Sequence, residues 1–203
     1  MLISFIPFIL PHNLGQFPAI ALLIPFVLSL LITFPFTHVK SILNWTQTGQ
    51  IDKVSFLLLV ATSILSVAAL IVWGFWTDQL GKGAQMIQSF SHYPKWLILV
   101  GGIPLFALIN AFTEEVVYRG VMQEALSRVF EQKSLVIALQ ASAFAAIHFA
   151  MGFPNGVVGY VMVLVYGIML GYLRIRTNGM LAPYLAHVIA DLAIGFFLYF
   201  AVT

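Results

Sequence analysis

The sequence predicts an all-α fold, a polytopic bundle of membrane-spanning helices. Of its 203 residues, 61% are hydrophobic and 8% are charged, whereas an ordinary soluble domain has roughly 25% charged residues. Apolar stretches of about 20 residues, the length that crosses the hydrocarbon core of a bilayer, recur along the whole chain. No repeat or low-complexity tract marks a second domain, so we expect residues 1–203 to form a single membrane-embedded domain.

Six spans account for these stretches when a hydropathy window of about 20 residues is applied. They lie at about 18–36, 55–76, 96–118, 134–150, 156–173 and 179–202. Residues 2–10 are too short to span unaided, so we expect an interfacial or re-entrant segment there, or a short seventh span if it crosses. After the third span, residues 119–131 mix apolar with charged side chains, which predicts an amphipathic extension at the membrane surface. Gly167 and Gly171 form a G-x-x-x-G motif on the fifth span, which predicts close helix packing there.

Composition excludes several classes of function. The chain has no cysteine, which excludes disulfides, thiolate catalysis and cysteine-based metal sites. The net charge is +2, and the basic residues are scattered rather than clustered. We therefore expect the lipid bilayer, and not a nucleic acid, to be the partner of the protein surface.

The basic residues of the loops predict the orientation, because Lys and Arg in short loops favour the cytoplasm. Six of them follow the first, third and fifth spans: Lys40, Lys53, Arg128, Lys133, Arg174 and Arg176. The opposite loops carry Lys82 and Lys95. We expect an integral membrane protein whose first, third and fifth spans end on the cytoplasmic side.

Ionisable residues inside the predicted spans are costly and usually functional. This set comprises Glu114, Glu115, Arg119, His148, His187 and Asp191. Glu115 and Arg119 are four residues apart on one helical face, so we expect a structural ion pair. Glu114 points about 100° away from Glu115. It has no cation four residues further on, and such an unpaired carboxylate suits a general base.

The remaining three residues lie on two other spans. His187 and Asp191 are also four residues apart and share a face. A hairpin centred near Glu131 has 17 residues back to Glu114 and 17 forward to His148, which places these two at one depth. Taken singly, a histidine in a span is more often a packing residue than a catalyst. Together, the three groups predict one shared site below the cytoplasmic surface.

These groups resemble the three motifs of the CPBP (CAAX protease and bacteriocin-processing, or Abi) family of intramembrane proteases. The sequence EEVVYRG at 114–120 resembles the family's E-E-x-x-x-R motif, FAAIH at 144–148 its F-x-x-x-H motif, and HVIAD at 187–191 its H-x-x-x-[N/D] motif. They occur in the family order on separate spans, within a motif core of residues 111–191. Within the family, the chain looks like the type II CAAX prenyl endopeptidases.

The resemblance implies a helix bundle around a cavity open to the cytoplasmic leaflet, in which a peptide bond is hydrolysed. By matching positions, Glu114 would be the base that activates water, His148 its partner, and His187 and Asp191 the residues that stabilise the oxyanion. Asp191 departs from the Asn of the eukaryotic enzymes, but bacterial members often have Asp, so we expect the plasma membrane of a prokaryote. An ionised Asp accepts but cannot donate a hydrogen bond, so Asp191 would either orient and charge His187 or be protonated by burial.

Two histidines and two carboxylates could also bind zinc, with Glu114, His148, His187 and Asp191 as ligands. The spacing of His187 and Asp191 equals that of the histidines in H-E-x-x-H, but the chain lacks the Glu that this signature places beside a zinc-binding His. We favour glutamate catalysis without a metal or other cofactor.

Two other classes of function compete with proteolysis. A non-catalytic immunity or scaffolding protein would bind a partner through the same cavity, but it has no need of an unpaired buried Glu114. A proton-coupled transporter would also use buried carboxylates and histidines. Such a transporter typically has inverted repeats, and none is visible here. We therefore expect an endopeptidase whose substrate is a membrane-associated peptide or protein, with or without a lipid anchor.

Overall fold

A computed structural model describes residues 47–77, 92–151, 153–154 and 156–201, and within those ranges the chain is helical without strands. The helices are α1 (Lys53–Thr77), α2 (Lys95–Ser127), α3 (Lys133–Met151), α4 (Gly156–Thr177) and α5 (Leu181–Phe200). Four of these, all except α3, are long and apolar enough to cross a membrane, and α3 is a shorter apolar helix. The predicted all-α, polytopic architecture is confirmed.

The predicted spans agree with the observed helices over most of the described chain. The spans placed at 55–76, 134–150, 156–173 and 179–202 correspond to α1, α3, α4 and α5 within a few residues. The third runs further than 96–118, because α2 continues to Ser127. The span at 18–36 and the segment at 2–10 lie outside the described residues.

Helix α2 is continuous but contains two π-helical turns, at Ile98–Gly102 and Val116–Met122. The first turn lies just before Pro104, which has no N–H to donate and whose ring crowds the preceding turn. In the second, the backbone N–H of Gln123 donates to the carbonyl of Tyr118, five residues earlier. Such widened turns are frequent at functional sites.

The amphipathic extension predicted at 119–131 is wrong in its first part. Arg119 and Gln123 are buried inside the bundle, whereas Val121 is 49% exposed on the outside. In a bilayer the outer face of a helix meets hydrocarbon, so the polar residues turn inward where partners satisfy them. The helix then ends at Ser127, before the turn that leads to α3.

Helix α4 packs closely on α3 through its two glycines, as the G-x-x-x-G motif predicts. A Cβ added at Gly167 would lie 3.1 Å from the Cβ of Ala141. The side-chain amide of Gln140 donates to Gly167 O (2.9 Å), and that of Gln123 donates to Gly171 O (3.1 Å). The glycines therefore admit both the neighbouring helix and two buried amides to the backbone of α4.

Residues 47–52, here named the strap, bind the turn between α4 and α5. Three backbone hydrogen bonds hold them: Gln50 N–H to Thr177 O (2.9 Å), Met180 N–H to Gln47 O (2.8 Å) and Leu181 N–H to Thr48 O (3.2 Å). Asp52 then caps α1 by accepting from Ser55 N–H at 2.7 Å, and it pairs with Arg176 at 2.6 Å. The hydrogen bonds from Ser55, followed by the one from Arg176, lower the pKa of Asp52 to about 2.

Candidate active site

Two helices bring five ionisable side chains into one buried cluster. Helix α2 contributes Glu114, Glu115 and Arg119, and α5 contributes His187 and Asp191. All five are buried among the described residues. The packing of α5 against α2 thus produces the convergence that the motifs predicted for these positions.

His187 lies at the centre of the cluster, among three carboxylates. Its Nδ1 is 2.8 Å from Glu115 Oε1, and a carboxylate can only accept, so Nδ1–H donates to Glu115. Its Nε2 is 3.5 Å from Glu114 Oε2 and 3.7 Å from Asp191 Oδ1. The hydrogen bond to Glu115 fixes the ring so that Nε2 faces the other two carboxylates.

The predicted ion pair between Glu115 and Arg119 is confirmed, with Arg119 Nη1 at 2.8 Å from Glu115 Oε1. The same oxygen accepts the bond from His187, so Glu115 joins the guanidinium to the imidazole. This differs from the sequence-based expectation that Asp191 would orient His187. The contact at Nδ1 is made by Glu115, and Asp191 lies on the opposite edge of the ring.

Asp191 has a partner that the sequence interpretation missed. The side-chain amide of Asn110 donates to Asp191 Oδ2 at 3.0 Å. Asn110 precedes Glu114 by four residues and so shares its face of α2. That spacing is visible in the sequence, but a neutral amide in a span does not stand out as an ionisable residue does.

Glu114 differs from Glu115 and Asp191 because it accepts no hydrogen bond from a described residue. Like Oε2 of Glu115, the Oε2 atom of Glu114 is unsatisfied. This oxygen is buried and has no hydrogen-bond partner anywhere in the described chain. The nearest cation-forming group is His187 Nε2, at a distance too long for a strong hydrogen bond. A buried acceptor in this condition has free capacity for a water molecule or a ligand.

His148 lies beside this cluster and not within it. Its Nδ1 is 3.1 Å from the carbonyl of Phe144, and a carbonyl can only accept, so the ring hydrogen is on Nδ1 and Nε2 can accept a hydrogen bond. The ring of Phe144 has its centroid 4.7 Å from that of His148 and 5.9 Å from that of His187. Among described residues, His148 makes no hydrogen bond to Glu114, His187 or Asp191. The structure thus brings five of the six predicted residues into contact. The sixth, His148, contacts the ring of Phe144 beside the cluster.

The zinc set considered from the sequence does not form a ligand cluster. No group of three or more His, Asp or Glu side chains in the described ranges is arranged to hold a metal ion. His187 directs Nδ1 to Glu115, and His148 directs Nδ1 to the carbonyl of Phe144. The residues as placed do not fit a zinc site, and no step proposed below passes through a metal.

Residues 95–193 match the family described as Rce1-like, the type II CAAX prenyl endopeptidases. This region is similar to an Rce1-like domain. It contains α2, α3, α4 and most of α5, and therefore all three motifs and the buried cluster. The match confirms the resemblance drawn from the motifs and implies a CAAX-type membrane endopeptidase in general terms. Comparisons with curated proteins and with solved structures give no match.

Proposed function

We propose that the protein is an intramembrane endopeptidase in which Glu114 is the general base. The observation that carries this proposal is that Glu114 accepts no hydrogen bond from a described residue, while its buried Oε2 atom is unsatisfied. Of the neighbouring carboxylates, Glu115 accepts from Arg119 and His187 through Oε1, and Asp191 accepts from Asn110. Hydrogen bonds stabilise the charged form of a carboxylate, so Glu114 is the carboxylate best able to accept a proton from water, although Oε2 of Glu115 also lacks a partner among the described residues.

Hydrolysis at this site proceeds by two proton transfers. Glu114 removes a proton from water while the water oxygen bonds to the carbonyl carbon, and the π electrons of the carbonyl move to its oxygen. The carbon–nitrogen bond then breaks, and Glu114 returns the proton to the leaving nitrogen. His148 assists by accepting a hydrogen bond from the water through Nε2, which makes it a positioning group for the nucleophile.

The cluster favours these proton transfers because it has more acidic groups than basic ones. Three carboxylates face one guanidinium, and a net charge in an apolar span is costly. The cluster therefore retains at least one proton, shared among Glu114, Asp191 and His187. His187, held by Glu115, directs Nε2 toward Glu114 and can present a hydrogen to the oxyanion when that proton resides on it.

The substrate class follows from the location of the site. A site built from membrane-spanning helices reaches chains that are membrane-associated, so we propose peptides or proteins held at the bilayer, prenylated or otherwise lipidated or anchored by their own helix. We further propose that the membrane is a prokaryotic plasma membrane and that the site lies toward its cytoplasmic side, an orientation that the loop charges favour. A non-catalytic scaffolding or immunity protein with the same cavity is distinguished by turnover.

The first prediction concerns Glu114. Glu114→Gln keeps the shape of the side chain but removes its basicity, so cleavage of a membrane-tethered peptide should fall by at least about 10²-fold. Glu124→Gln is the matched control on the same helix, since Glu124 forms an exposed pair with Arg128 at 3.4 Å. The control should cleave at the wild-type rate, and both variants should retain the wild-type melting temperature in detergent to within a few degrees. Full activity of Glu114→Gln would remove Glu114 from the chemistry.

The second prediction concerns the metal. Because His187 and His148 are directed to different partners, the purified enzyme should cleave peptide in the presence of a chelator and should contain no stoichiometric metal by elemental analysis. The measurement is repeated on His187→Ala and Asp191→Ala, since metal ligands would lose metal with each substitution. Stoichiometric zinc that falls together with activity in these variants would overturn the metal-free mechanism and favour a zinc-dependent form of the same protease.

A further inference from the structure

Tyr166 of α4 contacts the cluster at His187, although it belongs to none of the three motifs. The two rings meet edge to face, with centroids 5.7 Å apart and an interplanar angle of 88°. The charged groups close enough to act on its phenol are those of the site: Glu114, Glu115, Asp191 and Arg119. Tyr166 therefore belongs to the wall of the active site.

The hydroxyl of Tyr166 is buried and has no hydrogen-bond partner in the part of the chain that the structure describes. Leaving such a group unsatisfied costs free energy, and buried hydroxyl groups of native proteins nearly always have a partner. Tyr184, by comparison, donates its hydroxyl hydrogen to the carbonyl of Leu108. Within the described chain, the hydroxyl of Tyr166 is therefore free to donate to a molecule that enters the site.

The reaction requires a hydrogen-bond donor at the scissile carbonyl. The tetrahedral intermediate carries a negative oxygen, which hydrogen-bond donors stabilise. Ionised Glu114 and Asp191 can only accept, and His187 can donate through Nε2 only while it holds the shared proton. A neutral phenol has one hydrogen to donate and stays neutral at pH 7 in its ordinary form. Tyr166 therefore adds a permanent neutral donor to the site, beside Arg119, whose Nε and Nη2 also lack a partner among the described residues.

We propose that Tyr166 donates a hydrogen bond to the carbonyl oxygen of the scissile peptide bond, and that this bond strengthens as the oxyanion forms. Tyr166 keeps its proton throughout, since the proton of the attacking water goes to Glu114 and the carbonyl electron pair stays on the oxygen. This role rests on the proposed endopeptidase function. It makes Tyr166 a catalytic residue that touches the reacting carbonyl.

The experiment compares Tyr166→Phe with Tyr172→Phe, the same change on the same helix at a side chain that is 50% exposed. For Tyr166→Phe, kcat on a membrane-tethered peptide should fall by about 10²-fold with KM little changed, the loss typical of one oxyanion donor. Its melting temperature should not fall, because the hydroxyl has no partner to lose among the described residues. The control should match wild type in kcat, KM and melting temperature.

A second measurement separates this role from a structural one. A peptide phosphinate imitates the tetrahedral intermediate, so Tyr166→Phe should bind it about 10²-fold more weakly while binding the uncleaved peptide as well as wild type does. If wild type cleaves and Tyr166→Phe cleaves equally fast, or loses stability together with activity, the donor role is wrong and the endopeptidase function stands. If wild type neither cleaves peptide nor binds the phosphinate, the endopeptidase function fails and the donor role fails with it.

Discussion

At the scale of single residues, Glu115 connects the ion pair of α2 to the histidine of α5. One of its oxygens accepts from both Arg119 and His187, at 2.8 Å in each case. Removing either donor changes the environment of the other, because the shared oxygen is buried. Glu115 is thus a positioning residue for His187 as well as half of an ion pair.

The third prediction compares two pairs of the same spacing on α2. Arg119→Gln leaves Glu115 buried without its cation and should lower the free energy of unfolding by an amount on the order of 3 kcal/mol. Arg128→Gln breaks the pair with Glu124, whose side chains are 50% and 25% exposed, and should cost about 0.5 kcal/mol or less. Thermal unfolding in one detergent measures both. Equal losses in the two variants would contradict the structural role assigned to Arg119.

The sequence predicted the contacts between residues of the same helix. Glu115 with Arg119, and His187 with Asp191, are four residues apart and must share a face. The contact between Glu115 and His187 spans 72 positions of the chain and depends on how α2 and α5 rotate against each other, which no local pattern specifies. Neutral polar residues were missed for another reason. A tyrosine such as Tyr166 is common in spans, so only its unsatisfied hydroxyl in three dimensions marks it.

At the scale of elements, the close packing of α4 on α3 positions a side chain of the active site. Gly167 of α4 lies against Phe144 of α3, whose ring also contacts His148 and His187. The hydropathy that revealed α4 is a property of its sequence alone. The π-helical turns of α2 have no such signature, because the local composition is the same for i→i−4 and i→i−5 bonding, and tertiary contacts decide between them.

The fourth prediction concerns Gly167. A Cβ at this position would lie 3.1 Å from the Cβ of Ala141 and 3.2 Å from Phe144 Cδ1, so Gly167→Ala should cost about 1–3 kcal/mol through overpacking. It should also lower kcat, since Phe144 is displaced. Gly102→Ala is the control, because its nearest atom would be 3.9 Å away; there the helix preference for Ala should leave stability unchanged or raise it by about 0.5–1 kcal/mol. If the free energy of unfolding in detergent shifts equally for both variants, the overpacking predicted at Gly167 is wrong.

At the scale of the whole molecule, the strap fastens the start of α1 to the turn between α4 and α5. It brings Asp52 to Arg176 across 124 residues of sequence at the end of the bundle that also carries Lys53. The loops predicted at this end carry six basic residues against two in the opposite loops, which predicts that this end faces the cytoplasm. The sign of the loop charges could be read from the sequence, but the strap could not, because its backbone hydrogen bonds depend on no particular side chain.

The fifth prediction tests that orientation. The chain has no cysteine, so a single introduced thiol reports its own position. Lys133→Cys and Lys95→Cys lie at exposed positions near opposite ends of α2. A membrane-impermeant maleimide should label Lys133→Cys in inverted membrane vesicles and Lys95→Cys in intact spheroplasts, with Lys53→Cys following Lys133→Cys. The reverse pattern would place the strap outside the cell.

The position of Phe144 has a consequence for how substitutions combine. Its ring receives the guanidinium of Arg119 on one face, with Cζ 4.4 Å from the centroid, and it also contacts the rings of His148 and His187. Energies of substitutions that share a neighbour do not add. Double-mutant cycles between Arg119 and His148 should therefore show thermodynamic coupling, since both residues contact the ring of Phe144. We therefore expect the residues around this ring to be replaced together in evolution, because few single substitutions would leave the contacts of Phe144 unchanged.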